Sequence, residues 1–451
     1  MGAMSTPPPA TADERPAPAK RATKSARAGQ AAKATRARPA PTADPAGDGS
    51  TGWRGRRPGR GRMVHDRRFQ RANEHWPLTA RLSAWFFRHP ETVLTLLGRR
   101  PPVEIDGRVL NRSVQAMLAV TEHTPAMVFN NGGTFDAAAI RRNLTRMAPV
   151  AMPVRTDVYV TGRRIPADEG PLGSEGIPVR VYRRFGTGIG AEVGLGHRPP
   201  AVTYFHGGGW VGGDLVSHDA SCRLLAAISG CVVVAVDYRL APEHPYPAAV
   251  EDAVAAFRWV QRHADDLGVD PDRVGVMGDS AGGNLAAVVS LLTREGGRAA
   301  DPGLPAPWAQ GLVYPAVSAR LHPGSDALAE GFFLTLVSME QMRDAYLPDE
   351  SDWDHPEVSP LLADDLAGLA PTLLVTAGFD PLRFDGDAYG RRLAEAGVPL
   401  EHRHYEDQVH GFFGMGILAD SLALSIEVCD AMGRLMHRDG ALPAPVTPDG
   451  D

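Results

Sequence analysis

The sequence has little of what would tie it to a membrane or to a disulfide-bonded, secreted fold. No run in its 451 residues approaches the roughly 20 consecutive apolar residues of a transmembrane helix, and the N-terminus has no apolar stretch typical of a secretory signal. The only cysteines are Cys222, Cys231 and Cys429, an odd number without a Cys-x-x-Cys pair. A disulfide framework and a cysteine-based zinc site are therefore excluded, and we expect buried thiols in a soluble, cytoplasmic protein.

Aliphatic residues are almost missing from residues 1–64, which are rich in Ala, Pro, Thr, Gly, Arg and Lys. Such a composition predicts a disordered tail, and we expect a second flexible tail over 441–451. Residues 1–64 carry 13 Lys and Arg against 4 Asp and Glu, although the whole chain has a net charge of −6. This basic tail could bind nucleic acid or anionic lipid. Because Trp53 is its only aromatic residue, we interpret it as a solvated linker and expect no specific nucleic-acid partner.

The hydrophobic period changes along the remaining chain. Over 65–150, apolar residues such as Leu82, Trp85 and Phe86 recur every three or four positions, which predicts helices laid over another layer. From about residue 155, short β-branched runs alternate with helical stretches such as 248–263. This alternation predicts βαβ units and a mostly parallel sheet with helices on both faces. The predicted strands are 156–161 and 179–184, both as antiparallel edge strands, then 201–205, 232–236, 273–277, 311–313, 372–377 and 400–405.

A G-x-S-x-G motif, Gly278-Asp279-Ser280-Ala281-Gly282, lies between a predicted strand and a predicted helix. A serine hydroxyl is a poor nucleophile unless a tight turn presents it to a base, and flanking glycines permit such a strained turn. The N-terminus of the following helix also favours developing negative charge. Ser280 is therefore the candidate nucleophile, with an ordinary strand-to-helix turn as the alternative.

Three consecutive glycines follow the predicted strand 201–205, in the run His206-Gly207-Gly208-Gly209-Trp210. They let backbone N–H groups point into a cavity, as an oxyanion hole requires. A phosphate-binding loop would need the G-x-x-x-x-G-K-[ST] pattern, which is absent. The predicted oxyanion donors are the N–H groups of Gly207, Gly208 and Ala281. The candidates for a substrate pocket are His206, Gly209, Trp210 and Asp279, and Trp210 could equally anchor the strand end.

A carboxylate and then a histidine should follow the serine, because Ser, acid, His is the chain order of hydrolases that carry the serine on such a strand-to-helix turn. Asp380 comes directly after the predicted strand 372–377, and His410 follows the last predicted strand. His410 would take the proton of Ser280 while Asp380 fixes its tautomer. Asp385 and Asp387 compete with Asp380, but capping of the next helix explains them more simply.

Taken together, these motifs resemble the hormone-sensitive-lipase family of bacterial esterases and lipases. The resemblance covers roughly residues 150–437. It depends on His206-Gly207-Gly208-Gly209, Tyr238-Arg239-Leu240-Ala241-Pro242-Glu243, Gly278-Asp279-Ser280-Ala281-Gly282-Gly283, Asp380-Pro381-Leu382-Arg383 and His410-Gly411-Phe412. One departure is Phe384-Asp385, where many relatives have an acidic residue directly after the arginine; it leaves Asp380 intact.

The resemblance implies an α/β-hydrolase fold with an eight-stranded, mostly parallel sheet in a catalytic domain over 151–440. It also implies a helical cap, built from residues 65–150 and an insertion at about 320–365. The activity implied is hydrolysis of carboxylic esters with short to medium acyl chains through an acyl-enzyme, without metal or organic cofactor. The partner would be a small ester or lipid.

Two other functions stay open: an amidase with the same triad, and a non-catalytic ligand-binding protein. Binding proteins that resemble this family lose the histidine, so His410 favours catalysis. Weak contact of the helix near Trp85 with a membrane surface, and a dimer, also stay open.

Overall fold

The structure is a computed structural model that describes most of the chain, namely residues 77–122, 135–171, 175–185, 198–330 and 332–439. The tails predicted over 1–64 and 441–451 lie outside the described residues. Among the residues described, no helix is both long and apolar enough to cross a membrane.

Eight strands form one large sheet, after a two-stranded hairpin of β1 (Glu104–Ile105) and β2 (Arg108–Val109). In chain order the eight are β3 (Val158–Ile165), β4 (Ile177–Arg184), β5 (Ala201–Phe205), β6 (Val232–Val236), β7 (Val274–Asp279), β8 (Gln310–Val313), β9 (Thr372–Phe379) and β10 (Leu400–Val409). Their order across the sheet is β10-β9-β8-β7-β5-β6-β4-β3. The pairs β3–β4 and β4–β6 are antiparallel and the others are parallel. The predicted α/β-hydrolase sheet is thus confirmed.

Helices cover both faces of this sheet because its central strands are apolar on both sides. In β6, Val232, Val234 and Val236 belong to one buried cluster, and Val233 and Ala235 belong to another. The helices contributing to the first cluster include α6 (Ala248–Arg262), α8 (Ala281–Thr293) and α10 (Arg383–Glu395). Those contributing to the second include α5 (Asp219–Ser229) and α11 (Ala419–Met436). The short helix α7 (Ala264–Leu267) follows α6.

Two strands in the middle of the sheet match their predicted boundaries. Strands β5 and β6 begin and end as predicted, whereas β10 runs to Val409 instead of ending at residue 405. Its pairing with β9 is irregular between Tyr405 and Val409, and the polar residues Glu406 and Asp407 lie in that stretch. A bulged, polar strand end lacks the period-two signal on which the prediction depends.

Helices dominate the described residues before β3. They are α1 (Leu78–Phe87), α2 (Pro90–Leu96), α3 (Arg112–Thr121) and α4 (Ala137–Ala151). The prediction that residues 65–150 are helical is wrong at one place, because the hairpin β1–β2 lies within this segment. Its turn residues Asp106 and Gly107 have φ of 50° and 75°, and an Asp-Gly pair is a strong signal for such a turn.

Several polar contacts tie these helices to the rest of the fold, and two residues make more than one such hydrogen bond each. Asn111 caps α3 by accepting from the Ser113 N–H (3.0 Å), and its side-chain amide donates to Asp407 and Asp420, both at 3.1 Å. On α4, the Arg141 guanidinium donates to the carbonyls of Val211 (2.7 Å) and Ala241 (2.8 Å) and to the carboxylate of Glu243 (2.7 and 2.9 Å). Both sets of hydrogen bonds end close to the loops that carry the candidate site.

The chain between β8 and β9 contains α9 (Leu336–Tyr346) and three 3-10 turns, Pro323–Leu328, Glu350–Asp352 and Pro360–Leu362. Met342 of α9 reaches the glycine loop, since a Cβ on Gly209 would lie 2.2 Å from its sulfur. Only glycine allows this approach.

Candidate active site

The candidate nucleophile lies on a sharp turn between β7 and α8. Ser280 has φ 57° and ψ −121°, a conformation that non-glycine residues rarely adopt. The turn is closed so tightly that a Cβ on Gly278 would lie 2.2 Å from the Gly282 carbonyl oxygen, and one on Gly282 would lie 2.0 Å from that of Phe205. The glycines of the G-x-S-x-G motif are therefore sterically required, and backbone strain at such a position is typical of functional sites.

The structure brings Ser280, His410 and Asp380 together in a hydrogen-bonded row. The distance from Ser280 Oγ to His410 Nε2 is 2.9 Å, and from His410 Nδ1 to Asp380 Oδ2 it is 2.8 Å. Asp380 is fully buried, and its other oxygen accepts from the Leu382 N–H at 2.9 Å. A buried carboxylate at Nδ1 fixes the tautomer in which Nε2 is the acceptor. The arrangement can accept a proton from the serine.

The two competing carboxylates take no part in this row. Asp387 accepts from the Thr376 hydroxyl at 3.1 Å. Asp385 is buried on α10, and burial raises its pKa to about 7.

The glycine loop differs from its prediction at one residue. The Gly207 N–H donates to Asp279 Oδ1 at 3.0 Å, which contradicts the prediction that it is a free donor. Among the described residues, the N–H groups of Gly208, Gly209 and Ala281 have no hydrogen-bond partner. All three residues lie beside Ser280 along the cavities described below, so Gly209 replaces Gly207 as a candidate donor.

Asp279 is the residue that holds the glycine loop to the sheet. Besides the Gly207 N–H, its Oδ1 accepts from the Tyr204 hydroxyl at 2.6 Å and lies 3.7 Å from His218 Nε2. Burial by itself would raise the pKa of Asp279, but the facing His218 and the Tyr204 hydrogen bond bring that pKa below its usual value. Asp279 is thus a buried carboxylate that positions backbone donors.

His206 and Trp210 support the loop from behind. His206 stacks on Tyr238 with ring centroids 4.3 Å apart, and burial lowers its pKa to about 4. Trp210 stacks on Tyr346 at 4.6 Å and borders a small cavity of about 50 Å³. The prediction that His206 lines the substrate pocket is wrong, because a buried, neutral ring behind the loop cannot meet a ligand there.

One large cavity, of about 790 Å³, opens over Ser280 and His410. We define its sheet wall as Gly207, Gly208, Gly209, His218, Asp279, Ser280 and His410. We define its helical wall as Leu82, Trp85, Phe86, Met117, Ile140, Leu144, Met147 and Ala148. The sheet wall is polar and the helical wall is apolar, although the same helices add the polar side chains of Ser83, Thr121 and Asn143 to the lining. The cavity can hold an apolar group of considerable size against the serine.

His218 was missed by the sequence analysis, as was most of the helical wall. Nothing in its local sequence marks it, since it lies 12 residues beyond His206 in a loop without a motif. Within the described residues, no group of three or more His, Cys, Asp or Glu side chains could hold a metal ion. The three cysteines are buried, and burial raises the pKa of Cys231 to about 12.

Comparisons with known proteins show which family the chain belongs to. Residues 202–414 match the family model described as alpha/beta hydrolase fold. The chain is 40% identical over 333 residues to the carboxylic ester hydrolase LipN of Mycobacterium tuberculosis, covering 72% of this chain and 83% of LipN. It is 37% identical over 243 residues to an arylesterase of Saccharolobus solfataricus, covering 53% and 73% of the two chains.

Solved structures give the same result. An ester hydrolase, EH1AB1, from the metagenome of Lake Arreo, in complex with a bipyridine phosphonate derivative, is 36% identical with a TM-score of 0.62 and covers 72% of this chain and 98% of its own. A hyperthermophilic esterase from Pyrobaculum calidifontis is 34% identical with a TM-score of 0.62, at 72% and 97% coverage.

Proposed function

Because this chain belongs to the hormone-sensitive-lipase-like family of α/β-hydrolase-fold esterases, we propose that it hydrolyses carboxylic esters with Ser280 as nucleophile, His410 as base and Asp380 as orienting acid. The observation that carries the proposal is the hydrogen-bonded row of the three side chains, 2.9 and 2.8 Å long. A serine whose hydroxyl faces a histidine held by a buried carboxylate is activated for attack on a carbonyl.

The reaction proceeds in two halves. Ser280 Oγ attacks the ester carbonyl while His410 Nε2 takes its proton, and the carbonyl oxygen gains negative charge. The N–H groups of Gly208, Gly209 and Ala281 bind this oxyanion, each donor contributing about 3 kcal/mol to the transition state. His410 then gives the proton to the leaving alcohol, which forms the acyl-enzyme. In the second half His410 activates a water molecule that releases the acid and restores Ser280.

The helical wall belongs to the proposal as the part that selects the acyl group. Helices α1, α3 and α4, with Met342 of α9, form a cap over the cavity. A volume of about 790 Å³ is in the range of pockets that bury whole small ligands, and its apolar lining favours a medium acyl chain over acetate.

The test is hydrolysis of a p-nitrophenyl ester series from acetate to palmitate by the wild type and Ser280→Ala. Loss of the nucleophile should lower kcat by about 10⁶. The matched control is Ser290→Ala, because Ser290 is a buried serine of α8, the helix that follows Ser280, and its hydroxyl has no hydrogen-bond partner among the described residues. This control should turn over esters like the wild type.

A phosphonate reagent separates loss of the nucleophile from loss of folding. It should add its mass to the wild type and to Ser290→Ala and leave Ser280→Ala unlabelled, while all three melt at similar temperatures. Wild-type turnover by folded Ser280→Ala would overturn the assignment. A folded wild type that cleaves anilides and no ester of the series would favour the amidase, and one that is inert to both would favour the binding protein.

A further inference from the structure

An apolar stripe runs along the outer face of α1. Ala80, Ala84 and Phe87 are buried, whereas Leu78, Leu82 and Trp85 are 69%, 58% and 61% exposed. The exposed three follow the i, i+4, i+7 spacing of one helix face, and Phe86 extends that face by one position. Large apolar side chains collected on one exposed face mark a surface that another phase or molecule covers.

The stripe continues into the catalytic cavity. Leu82, Trp85 and Phe86 belong to the helical wall and are at the same time open to the exterior. These side chains therefore form part of the mouth of the cavity. Whatever covers the outer face of α1 meets the entrance that leads to Ser280.

The charge around the stripe indicates what covers it. Arg81 and Arg88 lie on the same edge of the stripe, at i+3 and i+10 from Leu78, about two helical turns apart. Residues 59–76, which lead into α1, contain five Arg against one Asp and one Glu. This stretch is net positive, so all of the net negative charge of −6 comes from elsewhere in the chain. A helix with Leu, Trp and Phe on one side and arginines at its edge is typical of an amphipathic helix that lies in the interface of an anionic bilayer.

We propose that the outer face of α1 docks on an anionic lipid bilayer and sets the mouth of the cavity against the membrane. Trp85 and Leu82 enter the interface, Arg81 contacts lipid phosphates, and an acyl chain passes from the bilayer into the helical wall. Docking is independent of catalysis, whereas the entry of a lipid ester rests on the proposed function.

The experiment is flotation of the full-length chain with vesicles of phosphatidylcholine and phosphatidylglycerol (1:1), or of phosphatidylcholine alone. Every variant also carries Ser280→Ala, so that binding is read without turnover. The parent should float with the anionic vesicles and much less with the neutral ones. Leu78→Asp should weaken this binding at least tenfold, because it places a negative charge on the stripe. Leu78 is chosen because it lies outside the cavity lining.

The matched control is Phe185→Asp, because Phe185 is a similarly exposed apolar residue (61%). It follows β4, near the edge of the sheet opposite to β10. Phe185→Asp should float like the parent. In the background with Ser280 intact, Leu78→Asp should hydrolyse a short soluble ester like the wild type, which separates a failure of docking from a failure of the proposed function.

A second readout does not require Leu78→Asp to fold. Brominated phosphatidylcholine in the anionic vesicles should quench tryptophan emission of the parent more than that of Trp85→Phe. Equal quenching, or equal flotation of Leu78→Asp and parent, would overturn the proposal, because the basic tail alone would then bind the vesicles. It would also be overturned if Leu78→Asp changed the size of the lipid-free protein, since a second copy or the preceding residues would then cover α1.

Discussion

The sheet wall and the helical wall of the cavity differ in how their atoms are held. In the sheet wall, Asp279 is bonded to Tyr204 and Gly207, and His410 is bonded to Asp380 and Ser280. The helical wall is apolar and tied to the sheet at few polar points, of which Arg141 on α4 makes the most hydrogen bonds. The proposed chemistry thus takes place on the sheet wall, where several hydrogen bonds fix the side chains. The proposed acyl selection takes place on the helical wall, where the apolar side chains can adjust.

After loss of the nucleophile itself, the largest effect is expected where His410 of the sheet wall loses the carboxylate that holds it. Asp380→Asn should lower kcat on p-nitrophenyl acetate by about 10⁴, because an amide beside Nδ1 favours the tautomer in which Nε2 carries the proton. Circular dichroism should be unchanged and KM should change little. A fall in kcat of less than tenfold in a folded variant would show that Asp380 is not the orienting acid of His410.

The control for this variant is Asp385→Asn, the nearby carboxylate that competed with Asp380 in the sequence. Its turnover should stay within about twofold of the wild type. Its effect lies in stability instead. Burial raises the folded-state pKa of Asp385 to about 7, so the wild type loses stability as pH rises from about 4 through 7, as the carboxylate ionises. Urea midpoints of Asp385→Asn should lack this loss.

A smaller effect is expected where the sheet wall loses the anchor of the glycine loop. Asp279→Ala should lower kcat/KM by about 10 to 10² with little change in KM, since loosened oxyanion donors stabilise the transition state less. The affinity for a trifluoromethyl ketone, which forms a tetrahedral adduct, should fall by the same factor.

Asp279→Asn separates positioning from charge. Its amide oxygen can still accept from the Gly207 N–H and the Tyr204 hydroxyl, so it should recover most of the lost activity. An asparagine variant as inactive as the alanine variant would mean that the negative charge, and not the hydrogen bond to the loop, is what matters.

A change in the helical wall should alter selection and leave the chemistry intact. Ala148→Trp fills part of the cavity from α4. The activity on acetate should stay within about twofold, while kcat/KM falls about fourfold for every methylene of the acyl chain that no longer fits. The chain-length optimum in the p-nitrophenyl series measures this. An equal loss on acetate and octanoate would show that the two walls are not separable.

The contrast between the walls also explains what the sequence could predict. The sheet and the row Ser280, Asp380, His410 follow from local signals: apolar strands, a glycine-flanked serine and a histidine after the last strand. Each of these residues lies at a strand end, where a chain-order rule fixes which residues meet. The same signals located the glycine loop.

The errors come from contacts that no local pattern encodes. The glycine motif predicts Gly207 as an oxyanion donor, because nothing in the local sequence shows that Asp279, 72 residues later, accepts from the Gly207 N–H. The same motif predicts His206 in the pocket, because the sequence of a glycine loop does not show on which side of the loop the preceding histidine lies. His218 has no motif at all. Such features depend on tertiary packing, which periodicity and spacing do not report.

The smallest effect is expected at the anchor between the two walls. The hydrogen bonds from Arg141 lower the pKa of Glu243 to about 2, so this ion pair stabilises the fold above about pH 4.5 and its contribution is lost as pH falls from there towards 2. Glu243 is exposed, and the pair contributes about 1 kcal/mol or less. Urea midpoints of wild type and Glu243→Gln should therefore differ slightly at pH 7 and converge as pH falls to about 2. Because Arg141 keeps its bonds to Val211 and Ala241 in this variant, acetate turnover should be unchanged; a loss of turnover would mean that the helical wall holds the sheet wall in its active geometry.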